Sequence, residues 1–172
     1  MKRARQLSFL PKPLLCHGGE LRKGKRKIAR PLDPKRPMHI VMRATQARGA
    51  WSLLNKRNKA RVFVTVHETA ERFGVRIDRF ANVGHHLHIL VLPGSRTGFQ
   101  NFLRSAAGSI AFFVTGAKKG QALGSRFWDL LAFTRVIEWG REFKTVGTYF
   151  AKNLLESLDF SRAEYLLKPL PG

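Results

Sequence analysis

The chain has 172 residues, 44% of them hydrophobic, which suits one domain with a single core and excludes a wholly disordered chain. Lys and Arg number 32 against 11 Asp and Glu, a net charge of +21 that favours a polyanionic partner, nucleic acid first. Cys16 is the only cysteine, which excludes an intramolecular disulfide and a cysteine-built zinc centre, and no apolar run reaches the roughly 20 residues of a membrane span.

Residues 1–36 carry 12 Lys/Arg against Glu20 and Asp33, a net of +10. Pro11, Pro13, Pro31, Pro34 and the adjoining Pro37 break any apolar period there. The segment reads as an extended basic arm that orders on a phosphate backbone, with Arg22, Lys23, Lys25, Arg26, Lys27 and Arg30 as its contacts. Pro11, Lys12 and Pro13 interrupt the first short apolar stretch, so no signal peptide is expected, and a reducing cytoplasm fits.

Met38 to Met42 predicts a first strand, with Pro37 at its start. A second basic run, Arg43 to Arg61, holds six cations and no acid. Within about Trp51 to Phe73, Val62, Phe63, Val66, Ala70 and Phe73 follow helical spacing, and Gly74 supplies a C-terminal cap. Val75 to Val83 predicts a second strand. Gly84 turns the chain into a third, His86-Leu87-His88-Ile89-Leu90-Val91-Leu92, which ends at Pro93. These two strands are too close for a helical crossover and must form an antiparallel hairpin.

Phe99, Phe102, Leu103, Ala106, Ile110, Phe113 and Val114 trace one face of a second helix. It ends in the basic loop Gly116-Ala117-Lys118-Lys119-Gly120, where Lys118 and Lys119 are further phosphate contacts. Phe127 to Glu138 predicts a fourth strand. A last helix is expected from about Arg141 to Leu158, with the stripe Phe143, Val146, Phe150 and Leu154. The order β-α-β-β-α-β-α describes an α+β, ferredoxin-like split β-α-β sandwich, with an antiparallel sheet, helices on one face and an added C-terminal helix. The division is an arm at 1–36, a folded domain at 37–158 and a tail at 159–172.

The third strand carries the strongest functional signal. Side chains alternate along a strand, so His86 and His88 project from one face about 7 Å apart and could share a metal ion, while His85 points away. On the last helix, Asn153 lies four residues after Tyr149 and so sits one turn along nearly the same face. Packed beside the histidine strand, that edge would bring a phenol nucleophile and an amide oxygen to the same ion. His39 and His67 read as structural or surface residues, and Tyr165 as packing.

Glu71-Arg72-Phe73-Gly74-Val75, Asn82-Val83-Gly84-His85-His86-Leu87-His88-Ile89-Leu90-Val91, Phe127-Trp128-Asp129 and Tyr149-Phe150-Ala151-Lys152-Asn153 together resemble the HUH single-tyrosine transposases. The nearest branch is the REP-associated tyrosine transposases, and the similarity covers about residues 37–158. His85 stands where that family usually has Asn, and Leu154 where Pro often follows the helix Asn. The resemblance implies His86 and His88 as metal ligands, Asn153 as the third ligand, Tyr149 as the nucleophile, and Mg²⁺ or Mn²⁺ as the cofactor.

It also implies cleavage and strand transfer on single-stranded or hairpin DNA through a phosphotyrosine intermediate, with a homodimer left open. No membrane partner is expected, since no apolar run reaches a membrane span. A free phenol, with a pKa of about 10, is a poor nucleophile at neutral pH, so such chemistry needs charge neutralisation at the phosphate. The alternative is a catalytically inactive or non-enzymatic protein that binds DNA or RNA hairpins. That class expects exposed aromatics on the sheet face instead of histidines.

Overall fold

A computed structural model describes residues 15–26, 28–118 and 126–166, without the side chains of 154 and 156–166. Its strands are β1 Cys16–His17, β2 Met38–Arg43, β3 Arg76–Asn82, β4 His86–Leu92 and β5 Phe133–Val136. Its helices are α1 Lys56–Arg72, α2 Arg96–Thr115 and α3 Arg141–Leu166. The sheet is antiparallel throughout in the order β1-β5-β2-β4-β3. Without β1 this is the strand order of a split β-α-β sandwich, and the fold is α+β.

Alternation on β2 and β4 decides what each face of the sheet does. Met38, Ile40 and Met42 on β2, with Leu87, Ile89 and Val91 on β4, are buried on one face. There they meet Val62, Val66 and Ala70 of α1 and Phe99, Phe102, Ala106 and Ile110 of α2. The other face carries Leu90 and Ala81, which pack with Ile137 and with Phe150 of α3. α1 and α2 therefore cover one face and α3 the opposite one, each through a stripe at helical spacing.

Local signals set the helix ends. Asn55 caps α1 by accepting the Arg57 N–H at 3.0 Å, and Ser95 caps α2 by accepting the Gly98 N–H at 3.0 Å. At the C-terminus of α1, Gly74 adopts φ +65° while its N–H donates to Glu71 and that of Val75 to Ala70. This paired closure needs a left-handed residue, which glycine supplies without steric cost.

Four expectations change. The segment at 1–36 is not wholly an extended arm, because Cys16 and His17 add a strand to the sheet edge through Arg135 and Thr134. Gly18 follows at φ +85°, and a Cβ there would lie 2.1 Å from the Ala132 carbonyl oxygen, so only glycine lets the chain approach so closely. The strand expected from Phe127 is only Phe133–Val136. Trp128 instead turns inward to donate to the Ala107 carbonyl at 2.9 Å, and Asp129 accepts from the Thr45 N–H and hydroxyl, each at 2.9 Å.

Phe63 is half-exposed and outside the α1 core stripe, stacked on His67 and edge-on to Phe80. Finally, α3 runs to Leu166, into the expected tail. The side chains of Leu154, from the expected stripe, and of Tyr165, together with residues Lys27 and Lys119, lie outside what is described. Among the described residues, no helix is long and apolar enough to cross a membrane.

Candidate active site

The face that α3 covers is also the histidine face. In the β2–β4 ladder, Val41 pairs with His88, Arg43 with His86 and His39 with Leu90. Opposed residues of an antiparallel pair share a face, so His39, His86 and His88 stand together, diagonal or alternate neighbours on adjacent strands. The ring centroids of His86 and His88 are 4.7 Å apart, and those of His39 and His88 are 5.4 Å apart.

From above, α3 brings its Tyr149 ring to 5.2 Å from His88 and 6.1 Å from His39. Phe150, one residue on, wedges against His39 at 5.4 Å and anchors the helix on the sheet. Asn153, one turn beyond Tyr149, is buried, whereas Tyr149 is 45% exposed. A phenol at that exposure remains open to a polymer substrate.

Three polar atoms of β4 and α3 are buried without a hydrogen-bond partner: Nδ1 of His86, Nε2 of His88 and Nδ2 of Asn153. Orphaned buried polar atoms cost free energy and call for an explanation. The amide nitrogen and oxygen of Asn153 are interchangeable by a flip, so its oxygen can occupy the same position. Burial, with smaller contributions from His85 and Arg43, lowers the His86 pKa to about 4. Burial, then His86, His39 and His85, lowers that of His88 to about 3. His39 falls to about 4 through burial and Arg135.

All three rings are therefore neutral near pH 7, the state in which imidazole binds metals. Two neutral imidazoles and an amide oxygen are donor types that suit a divalent cation with its other positions left to substrate and water. Among the described residues, no group of three or more His, Cys, Asp or Glu is arranged to hold a metal ion.

The loop before β4 is built by a residue the sequence did not single out. Buried Asn82 donates to the Leu53 carbonyl at 2.8 Å and accepts the Gly84 N–H at 3.0 Å. The His85 carbonyl accepts the Ala44 N–H at 2.8 Å, tying the turn to the end of β2. His85 is exposed, but its ring is not directed away from the pair, lying 4.4 Å from that of His86. Strand alternation fails there because His85 belongs to the turn. His39 was also missed as a site residue. The alternation Met38-His39-Ile40 was the available signal, since it puts His39 on the face opposite the apolar core.

Of the expected phosphate contacts, Lys23, Lys25, Arg26 and Lys118 are exposed, and Arg22 is half-buried. Arg30 departs from expectation. Its guanidinium donates to the Ala132 carbonyl at 2.9 Å and to the Thr134 hydroxyl, and burial lowers its pKa to about 10. It is charged at neutral pH and fastens the N-terminal segment to β5 instead of facing solvent. A groove of about 620 Å³ lies between α1 and α2, lined by Arg61, Arg72 and Arg104, on the side of the sheet away from the histidines. No protein-family model matches the chain, and no curated protein matches it.

Proposed function

We propose that the chain is a DNA strand transferase of the single-tyrosine HUH type, similar to the REP-associated tyrosine transposases, acting on single-stranded or hairpin DNA. One juxtaposition supports this reading: the Tyr149 ring, 45% exposed, stands over His88, whose buried Nε2 has no hydrogen-bond partner, with the unpartnered Nδ1 of neighbouring His86 on the same strand and the unpartnered Nδ2 of Asn153 one turn along α3. A packing tyrosine would bury its ring, and while a single unpartnered ring nitrogen also occurs at His17, two of them alternate on the one strand face that Tyr149 approaches.

In the proposed reaction, Tyr149 Oη attacks the scissile phosphorus. A phosphorus–tyrosine oxygen bond forms as the bond to the 3′ oxygen breaks. The phenolic proton passes to solvent, and the departing 3′ oxygen takes up a proton to become a hydroxyl. The 5′ phosphate stays on Tyr149 as a covalent intermediate. Attack by an incoming 3′ hydroxyl then restores a phosphodiester and frees the phenol. Bond energy is conserved, so no nucleotide cofactor is needed.

His86, His88 and Asn153 would hold Mg²⁺ or Mn²⁺, which supplies positive charge at the phosphate as charge builds there. Phe150 orients Tyr149 by fixing α3 against the sheet. Exposed Lys23, Lys25 and Arg26 attract the DNA backbone without reading sequence. A cytoplasmic setting agrees with this role.

The test is incubation with labelled hairpin DNA and Mn²⁺, followed by denaturing electrophoresis. A protein–DNA adduct that survives denaturation, and is lost in Tyr149→Phe, is expected. Hairpin binding with no adduct would leave the non-enzymatic alternative.

A further inference from the structure

We infer that His39 is a positioning residue for His88, fixing which nitrogen of that ring carries the proton and which offers a lone pair. This rests on the reading of His88 as a metal ligand and goes beyond it. The two residues lie on neighbouring strands, His39 on β2 and His88 on β4, one pairing step apart on the same face. Nε2 of His39 is 3.2 Å from Nδ1 of His88, and the rings are within 21° of parallel.

With both rings neutral, only one of the two facing nitrogens can carry the proton. If His88 Nδ1 carries it, His39 Nε2 accepts, and the buried Nε2 of His88 keeps a lone pair free for a cation. If His39 donates instead, His88 must be protonated at Nε2. That would leave a buried N–H without an acceptor and no lone pair for a metal. The first arrangement satisfies the facing pair and gives the unpartnered nitrogen a use.

Phe150 holds the His39 ring edge-on at 5.4 Å, so its orientation is set by packing from α3. His39 thereby couples the seating of the tyrosine helix to the tautomer of a ligand on the sheet. A metal-bound imidazole commonly donates its second N–H to an orienting acceptor, and loss of that acceptor weakens metal binding about 10- to 100-fold.

The test uses ¹⁵N-labelled protein at pH 7.5. Long-range ¹H–¹⁵N spectra of the metal-free chain should show His88 protonated at Nδ1. His39→Phe keeps an aromatic ring and removes the acceptor. It should lose this tautomer preference and bind Mn²⁺, measured by titration of the metal alone, about 10-fold or more weakly. His39→Gln restores an acceptor oxygen and should recover most of the affinity. If His39→Phe fails to fold, the protonated nitrogen of His88 in the wild-type spectra still decides the role.

An Nε2-protonated His88 in the wild type, or unchanged Mn²⁺ affinity in both variants, would overturn the role of His39. Wild-type affinity that His88→Ala leaves unchanged would instead overturn His88 as a ligand. The tautomer measurement on His88 would still decide its relation to His39.

Discussion

His86 and His88 differ from His85 in burial, and substitution should separate them. His88 is buried beneath Tyr149 and Phe150 of α3 and His86 is half-buried beside it, whereas His85 is exposed at the turn. Replacing either His86 or His88 with Ala should reduce Mn²⁺-dependent adduct formation about 100-fold or more, a larger loss than expected for an outer-shell partner. His85→Ala should cost about 10-fold or less, with its ring only flanking that of His86. Equal losses at all three positions would reject this assignment of ligands. The same burial makes the metal-free fold sensitive to acid. The folded-state pKa values of His39, His86 and His88, about 4, about 4 and about 3, lie below the unfolded value of 6.5. Between about pH 6.5 and 4 the unfolded chain thus binds more protons, and stability falls as pH falls through this window. It is present in full above it. Urea midpoints measured in chelator from pH 7.5 to 4.5 should fall with acid, and less steeply in His39→Phe, which has one fewer buried imidazole to charge. Parallel profiles for the two proteins would contradict the burial of His39.

At the level of elements, the N-terminal segment makes the sharpest prediction. Arg30 bridges to the carbonyl of Ala132 and the hydroxyl of Thr134, and His17 Nε2 lies 3.1 Å from the Ile28 carbonyl. Removing the guanidinium leaves the buried Thr134 hydroxyl with only a 3.5 Å bond to the His17 carbonyl, and it loosens the segment around Arg30 from β5. Arg30→Ala should cost about 2–3 kcal/mol, seen as a drop in Tm of about 5–10 °C in a chain of this size. Lys cannot span both acceptors and should recover little. An unchanged Tm in Arg30→Ala would return Arg30 to the solvent-facing contacts. None of this was legible in sequence, because a two-residue strand has no period and exists only through its partner. The elements that could be read are those whose pattern is local. The apolar stripe from Phe99 to Val114 marked α2, and the alternation from His86 to Leu92 marked β4. The spacing of Tyr149 and Asn153 placed both on one edge of α3. His39 escaped because its role depends on the β2–β4 register, which joins residues 49 positions apart. The overlong fourth strand has a similar cause. Trp128 and Asp129 have strand-like neighbours, but their side chains bond to Ala107 and Thr45, contacts no sequence window contains.

For the whole molecule, the question is whether its charge acts as a diffuse field or through placed contacts. A net charge of +21 raises the local concentration of any polyanion, wherever the cations lie. Placed contacts make a narrower demand, because each phosphate neutralised by a cation changes the slope of log affinity against log salt by about 0.7 on single strands and 0.9 on duplex. Lys23, Lys25 and Arg26 are exposed on the segment that Arg30 fastens to β5, at the edge of the sheet that carries the histidines. Arg61, Arg72 and Arg104 are also exposed, but line the groove between α1 and α2 on the far side of the sheet. Neutralising either trio removes the same formal charge. If the N-terminal cations lie along the DNA, replacing Lys23, Lys25 and Arg26 with Ala should lower the single-strand salt slope by about 2, with Tm unchanged because none of the three supports the core. The Arg61, Arg72 and Arg104 set should weaken binding by a smaller amount and leave the slope nearly intact. Equal changes in slope for the two trios would mean that the field of the whole protein, and not the N-terminal segment, recruits the DNA. No change for the first trio would move the phosphate contacts elsewhere, with exposed Lys118 at the end of α2 the next residue to replace.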